Sequence, residues 1–246
     1  MFSEKYFAEA DGVLKKVRET QHDAINEAAR LAADTIINGG LIHAFGTGHS
    51  HMIAEEAYFR AGGLLPVNAI LETALMLEDG PLKSSAMEKL PGLARIIAET
   101  QPFKEGDTII IISNSGRNAV PVEMAMEAKD RGLQVVAITS LNHSRSVSSR
   151  HESGKKLYEL ADVVIDNCGI TGDAILQHPG VLAPFAATSS LAGIYIYQAF
   201  LAQVVHLLVE AGEEPPILIS GNVDEGQQHN MKLLEKYASR LSYVKL

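Results

Sequence analysis

With 246 residues, 46% of them hydrophobic and 21% charged, the chain has apolar mass for one large α/β domain or two small ones and too little polarity for disorder. Its net charge of −9 argues against nonspecific nucleic-acid binding, yet backbone amides and hydroxyls still hold phosphate where no lysine stands. A lone cysteine, Cys168, excludes an intrachain disulfide; no apolar run reads as the ~20 residues of a membrane span, and the first residues lack the basic-then-apolar order of an export signal. These features lead us to expect a cytoplasmic protein with no membrane partner.

From Ser3 to Asn38 the apolar residues Phe7, Ala10, Leu14, Val17, Ile25, Ala28, Leu31, Ala32 and Ile36 recur at helical spacing. An unbroken helix of this length overhangs a compact domain, so it either breaks near Gly12 or Gln21 or packs on a second subunit; the second is the expectation. Gly39-Gly40 stops it, and Leu41–Phe45 follows as a short apolar strand. The loop Gly46-Thr47-Gly48-His49-Ser50 then opens a helix over about 51–61. It does not fit the dinucleotide fingerprint, because His51 stands where the third glycine belongs, and no P-loop lysine follows. No G-x-S-x-G elbow surrounds Ser50, Ser113 or Ser115. His49 and His51 are two positions apart and do not share a helical face, so neither a metal nor another cofactor is expected.

Residues 64–70 read as an edge strand, because Pro66 cannot donate to a ladder. A helix is predicted near Glu88–Ile97, with an interruption at Pro91-Gly92. Thr108–Ile112 is too apolar to have a wet face and reads as a central parallel strand. It ends in Ser113-Asn114-Ser115-Gly116-Arg117-Asn118, with Asn118 placed to cap the next helix and Pro121 in its first turn. Hydroxyls and free amides at a helix start make an anion site, and an ordinary capped turn has the same ingredients. Residues 134–139 and 163–166 complete five strands, with Ser140–Ser153 read as a loop. Asn167–Ala187 is a connection long enough for a lid. Thr188-Ser189-Ser190 opens a helix to about Ala211, apolar all round and therefore expected to be buried, with His206 as a core histidine. Asp224 to Gln227 has capping-box spacing for a last helix to about Arg240 that carries His229 in its first turns.

Alternating strands and helices predict a three-layer αβα sandwich around a mainly parallel sheet of flavodoxin-like order 2-1-3-4-5. In that order the first and third strands are neighbours, so Gly46–Ser50 and Ser113–Asn118 line one crevice.

The pairing of GTGHS with ISNSGRN, followed by AKDRGLQVVAITS, resembles the SIS (sugar isomerase) domain family, over roughly residues 41–211. The resemblance implies one domain over 1–246, with helical additions at 3–38 and 224–240. It further implies that Ser113, Asn114, Ser115 and Asn118, with the Gly116 amide, hold a sugar's phosphate. Thr47, Gly48 and Ser50, beside His49, would contact the sugar, with Ser189 adding a contact at its helix start. It also implies a dimer or tetramer whose site is completed between subunits. Isomerisation needs a carboxylate base and a ring-opening acid. Where related isomerases and the etherase carry glutamate this chain has Arg60, so Glu56 or Glu55 is the candidate base, Glu72 a third, and His229 the candidate acid. Isomerisation of a heptose or amino-sugar phosphate is the expectation; a non-catalytic phosphosugar sensor and a muramic acid phosphate etherase are the alternatives. A DNA-binding regulator is disfavoured, since residues 1–40 form no basic helix-turn-helix.

Overall fold

Short apolar runs set the strands, and in the computed structural model, which describes residues 1–241, they assemble as expected. The strands β1 (Ile42–Gly46), β2 (Val67–Ile70), β3 (Thr108–Ile112), β4 (Gln134–Thr139) and β5 (Val163–Asp166) form one sheet in the order β2-β1-β3-β4-β5. Every pairing is parallel. Side chains alternate between two cores. Ala44, Ile110, Ile112, Val136 and Ile138 face α1 (Phe2–Thr20), α2 (His22–Ile37), α3 (His51–Ala57) and the long helix of residues 189–210. Phe45, Ile109, Ile111, Val135 and Ala137 face α5 (Leu93–Glu99) and α6 (Ala119–Asp130), with α4 (Pro81–Met87) ahead of them in the chain. The result is the three-layer αβα arrangement.

Several local expectations are corrected. The amino-terminal segment breaks at Gln21, whose Oε1 accepts the Asp166 N–H at 2.9 Å and so anchors the junction at the end of β5. The region near Glu88 is two helices rather than one. Gly92, at φ 83°, separates them, and the Glu88–Gly92 linker is stitched to α6 by Val120 N–H to Glu88 O at 3.1 Å. Within 140–153 lies α7 (Leu141–Ser146), capped by Ser140 Oγ, which accepts the His143 N–H at 3.1 Å. A helix this short shows no helical period in sequence. The 167–187 connection contains a small antiparallel hairpin, β6 (Ala174–Leu176) and β7 (Phe185–Ala187), tied to α1 by Tyr6 Oη donating to Ala187 O.

The helix α8 (Ser189–Glu210) is striped, not buried all round. Ala192, Ile196, Phe200, Val204 and Leu208 pack inward, while Leu191, Tyr195 and Val209 are exposed. By length and composition it could cross a membrane, contrary to the sequence expectation; here it lies on α2 and α3 as a core helix. His206 is on its outer face beside Glu210, at 3.4 Å, and is not a core residue. The final helix, α9 (Gly226–Tyr237), has no capping-box hydrogen bond.

At the amino-terminal edge of the sheet sits a buried polar chain. Asn68 Nδ2 donates to His43 Nδ1 at 3.0 Å, and His43 Nε2 donates to Asp107 Oδ2 at 3.0 Å. Arg240 Nη2 reaches both Asp107 oxygens, at 3.0 and 2.8 Å, and the Leu41 amide donates to Oδ1. An acceptor at Nδ1 and a donor at Nε2 describe a neutral imidazole. Burial pushes the His43 pKa down, against the pull of Asp107. Burial pushes Asp107 up, but its bonds to His43, Leu41 and Arg240 outweigh that and leave it lowered.

Removing one member of a buried pair leaves the other uncompensated. Asp107→Asn is therefore expected to lower unfolding free energy by about 3 kcal/mol in urea titration. Because His43 stays neutral when folded, the unfolded chain binds an extra proton below about pH 6.5, the ordinary histidine value. Wild-type stability should thus be full above that pH and fall on acidification below it. A urea midpoint that rises on going from about pH 6.5 to about pH 5 would contradict the neutral assignment.

Candidate functional site

The register sets Gly46 beside Ile112, so the loops leaving β1 and β3 start level, side by side, at the carboxyl end of the sheet. The first loop folds into a 3-10 turn over Gly48–Ser50, with the Ser50 N–H on Thr47 O at 3.0 Å. A Cβ at Gly46 would lie 2.5 Å from Ser50 O, so glycine is required there, while φ 54° favours glycine at Gly48.

In the second loop Gly116, at φ 57°, donates its N–H to Ser113 Oγ at 3.2 Å. Asn114 holds this loop to the next two strands. Its carbonyl accepts from the Ser140 N–H at 3.0 Å and Thr139 Oγ1 at 3.2 Å, and its Oδ1 accepts from Asn167 Nδ2 at 2.9 Å.

The two loops meet through a residue that sequence reasoning passed over. Thr47 Oγ1 donates to Glu88 Oε2 at 2.8 Å, and Asn118 Nδ2 donates to Glu88 Oε1. Asn118 therefore does not cap α6 with its side chain; its Oδ1 takes Arg150 Nη1 at 2.9 Å instead. The only signal for Glu88 was a charged residue three positions ahead of the Pro91-Gly92 break.

The hydroxyls of Ser50 and Ser115 have no hydrogen-bond partner among the described residues. His49 is exposed beside them. Further buried polar atoms lack partners on the elements around the loops: His51 Nε2, Arg117 Nε, His143 Nδ1, Ser144 Oγ and Thr188 Oγ1. His51 Nε2 is 3.3 Å from Glu55 but out of line for a hydrogen bond, while Nδ1 holds Gly48 O at 2.6 Å. Burial pushes the His143 pKa down; Asp173 pulls it up and Arg117 lowers it further. Asp173 in turn fixes the start of α8, accepting the N–H groups of Thr188 and Ser189 at 3.1 and 2.8 Å and Ser189 Oγ at 2.6 Å.

The remaining candidates are placed elsewhere. Glu56 pairs with Arg60 and accepts Gln198 Nε2 at 2.6 Å, in the seam between α3 and α8. Glu55 is half-exposed next to His51. Glu72 lines a cleft of about 320 Å³ with Tyr58, Asn68 and Gln101 on the β2 edge. His229 bonds Ile217 O at 2.9 Å on α9, whose Leu233, Leu234 and Tyr237 pack on Leu41 and Leu65. That is the amino-terminal side of β1 and β2, so this chain does not bring its own His229 to its own two loops. A cavity of about 640 Å³ also opens at that end, where Arg240 Nη2 pairs with Asp107 while Arg240 Nε is buried without a partner among the described residues.

Comparison with known proteins gives a match to the SIS domain model over residues 5–140. A UPF0309 protein of Halalkalibacterium halodurans is 48% identical over 225 residues, 92% of this chain and 93% of that protein. Among solved structures, phosphoheptose isomerase from Neisseria gonorrhoeae superposes with a TM-score of 0.57 at 17% identity, covering 84% of this chain and 100% of that one. The sugar isomerase domain of an RpiR transcription factor from Sphaerobacter thermophilus gives 0.53 at 14% identity, covering 97% and 98%. At such identities the likeness is one of fold.

The two glycines of the first loop should respond differently to a methyl group. Gly48→Ala meets open space and is expected to cost about 1 kcal/mol for its positive φ. Gly46→Ala drives Cβ into backbone and is expected to cost about 3 kcal/mol. Chemical denaturation of both variants measures the difference, and equal costs would show the turn to be more pliable than its geometry.

Proposed function

This chain belongs to the SIS-domain family, within the UPF0309 proteins, and we propose that its two-loop crevice binds a phosphorylated sugar and interconverts the aldose and ketose forms. The observation that carries the reading is the level β1–β3 register, which sets both loops at one end of the sheet with the hydroxyls of Ser50 and Ser115 left without a partner among the described residues. In this reading Ser113, Asn114, Ser115 and Asn118 hold the phosphate at the start of α6, where backbone amides favour an anion, and the Gly116 amide joins them by exchanging Ser113 Oγ for the ligand. Thr47, Gly48, His49 and Ser50 meet the sugar, and Ser189, fixed by Asp173, borders it at the start of α8. A heptose or an amino-sugar phosphate is the substrate class. The site works in a dimer or tetramer in the cytoplasm, and a ring-opening His229 comes from a neighbouring subunit, since the chain's own is at the other end of the sheet.

A thermal-shift series with sugar phosphates and their unphosphorylated counterparts tests the binding. The phosphorylated forms alone are expected to raise the melting temperature, by mass action on the folded state. Ser50→Ala and Ser115→Ala should each weaken binding about tenfold, the effect of a lost hydrogen bond to a charged ligand. Stabilisation by the unphosphorylated sugars to the same degree would remove the phosphate site. Following the bound sugar by NMR then separates the chemistry. Aldose-ketose conversion supports the isomerase, binding without turnover makes the protein a sensor, and D-lactate release from a muramic acid phosphate makes it an etherase.

A further inference from the structure

Glu88 stands where no family-based expectation put a functional group. Its two carboxylate oxygens accept from Thr47 Oγ1 and Asn118 Nδ2, one donor from each ligand loop, and its carbonyl accepts the Val120 N–H in the first turn of α6. Among the described residues it is the carboxylate that hydrogen-bonds both loops. The donors themselves are buried, at 6% and 7% exposure, so the carboxylate is held in a fixed orientation at the crevice. Both donors are neutral, and no lysine, arginine or histidine pairs with Glu88 among the described residues.

That arrangement is unfavourable for a site that only binds. An ionised carboxylate without a cation repels an incoming phosphate dianion, and Thr47 and Asn118 could be satisfied by the ligand or by water. It suits a group that must accept a proton. A carboxylate oriented at the crevice, with no salt bridge to compete for its lone pairs, is placed to serve as a base toward a sugar held between the loops. Glu56, tied to Arg60 and Gln198, lacks this property.

Resting on the isomerase reading above, we infer that Glu88 is the catalytic carboxylate. It takes the proton from C2 of the aldose form. The C2–H electron pair becomes the C1–C2 double bond, and the carbonyl π pair moves onto O1. O1 then takes the proton of the C2 hydroxyl. As the pair on O2 closes to the ketone, the double-bond pair at C1 takes the proton back from Glu88. One hydrogen has moved from C2 to C1 and one from O2 to O1, and no other reactant is consumed.

The test uses the full-length protein with glucosamine 6-phosphate, glucose 6-phosphate and sedoheptulose 7-phosphate in D2O, followed by NMR for turnover and C–H exchange. Glu88→Gln keeps the shape and removes the base; its Oε1 still accepts from Asn118 Nδ2, and its Nε2 donates to a Thr47 hydroxyl turned to accept. It is expected to lower turnover and exchange by about 10²- to 10⁴-fold, with the dissociation constant for the sugar phosphate within about threefold of wild type or tighter. Glu88→Asp, which keeps the carboxylate but shortens its reach, should retain part of the rate that Glu88→Gln loses. Wild-type turnover with Glu88→Gln within about threefold of it overturns the assignment and leaves the isomerase standing. Weaker binding and lower melting temperature in proportion to lost rate would make Glu88 a structural clasp and overturn it too. Binding of a probe by the wild type without turnover or exchange overturns the isomerase reading and this inference together.

Discussion

The pairing of β1 with β3 is the constraint from which the site follows. Parallel strands whose ends are level deliver their following loops to one edge, and the Gly46–Ile112 register does this for two loops far apart in the chain. Neither loop closes the site by itself. The first is a tight turn that needs glycine, and the second is braced against β4 and β5 through Asn114. What joins them comes from a third segment, the linker between α4 and α5, because its backbone is sewn to the start of α6 and its glutamate faces back across the sheet end. A carboxylate at the meeting point of two donor loops gives the crevice a reactive group as well as a binding surface.

Much of the architecture was legible in the residues. Five short apolar runs at βα spacing, the third of them β-branched throughout, dictated a parallel sheet, and glycine and hydroxyl loops after β1 and β3 marked where it would bind a ligand. Longer contacts hid the rest. The sequence offered Gln21 as one of two break points, but what settles the break there is a backbone amide 145 residues away. The α8 helix was apolar around its circumference in sequence, yet it buries one stripe and leaves Tyr195 and Val209 outward. Composition reports how apolar a helix is, not which side finds a partner. The same limit applies to Glu88. A carboxylate in a short linker has no periodicity to reveal its direction, whereas Glu55 and Glu56 drew attention because their helix followed a recognisable loop.

The two ends of the sheet use polar groups for different purposes. At the carboxyl end, donors and hydroxyls are left over after the fold is satisfied, and buried atoms such as Thr188 Oγ1 and Ser144 Oγ have no partner. At the amino end, Asn68, His43, Asp107 and the Arg240 Nη2 satisfy one another in a chain beside a cavity, and Arg240 Nε is the one buried atom of that chain left without a partner among the described residues. Leftover hydrogen-bonding capacity, more than cavity size, separates the end suited to a ligand from the end suited to holding the sheet together.

The guanidinium on Asp107 comes from a residue 133 positions later in the chain. During synthesis the central strand therefore leaves the ribosome well before its counter-charge does, and in that interval His43 and the Leu41 amide, already made, are the partners Asp107 has. A nascent sheet can pair its strands early in translation, but its central carboxylate is neutralised only after α9 has been made, so a ribosome stalled before Arg240 would carry a sheet whose lower edge is still open to water.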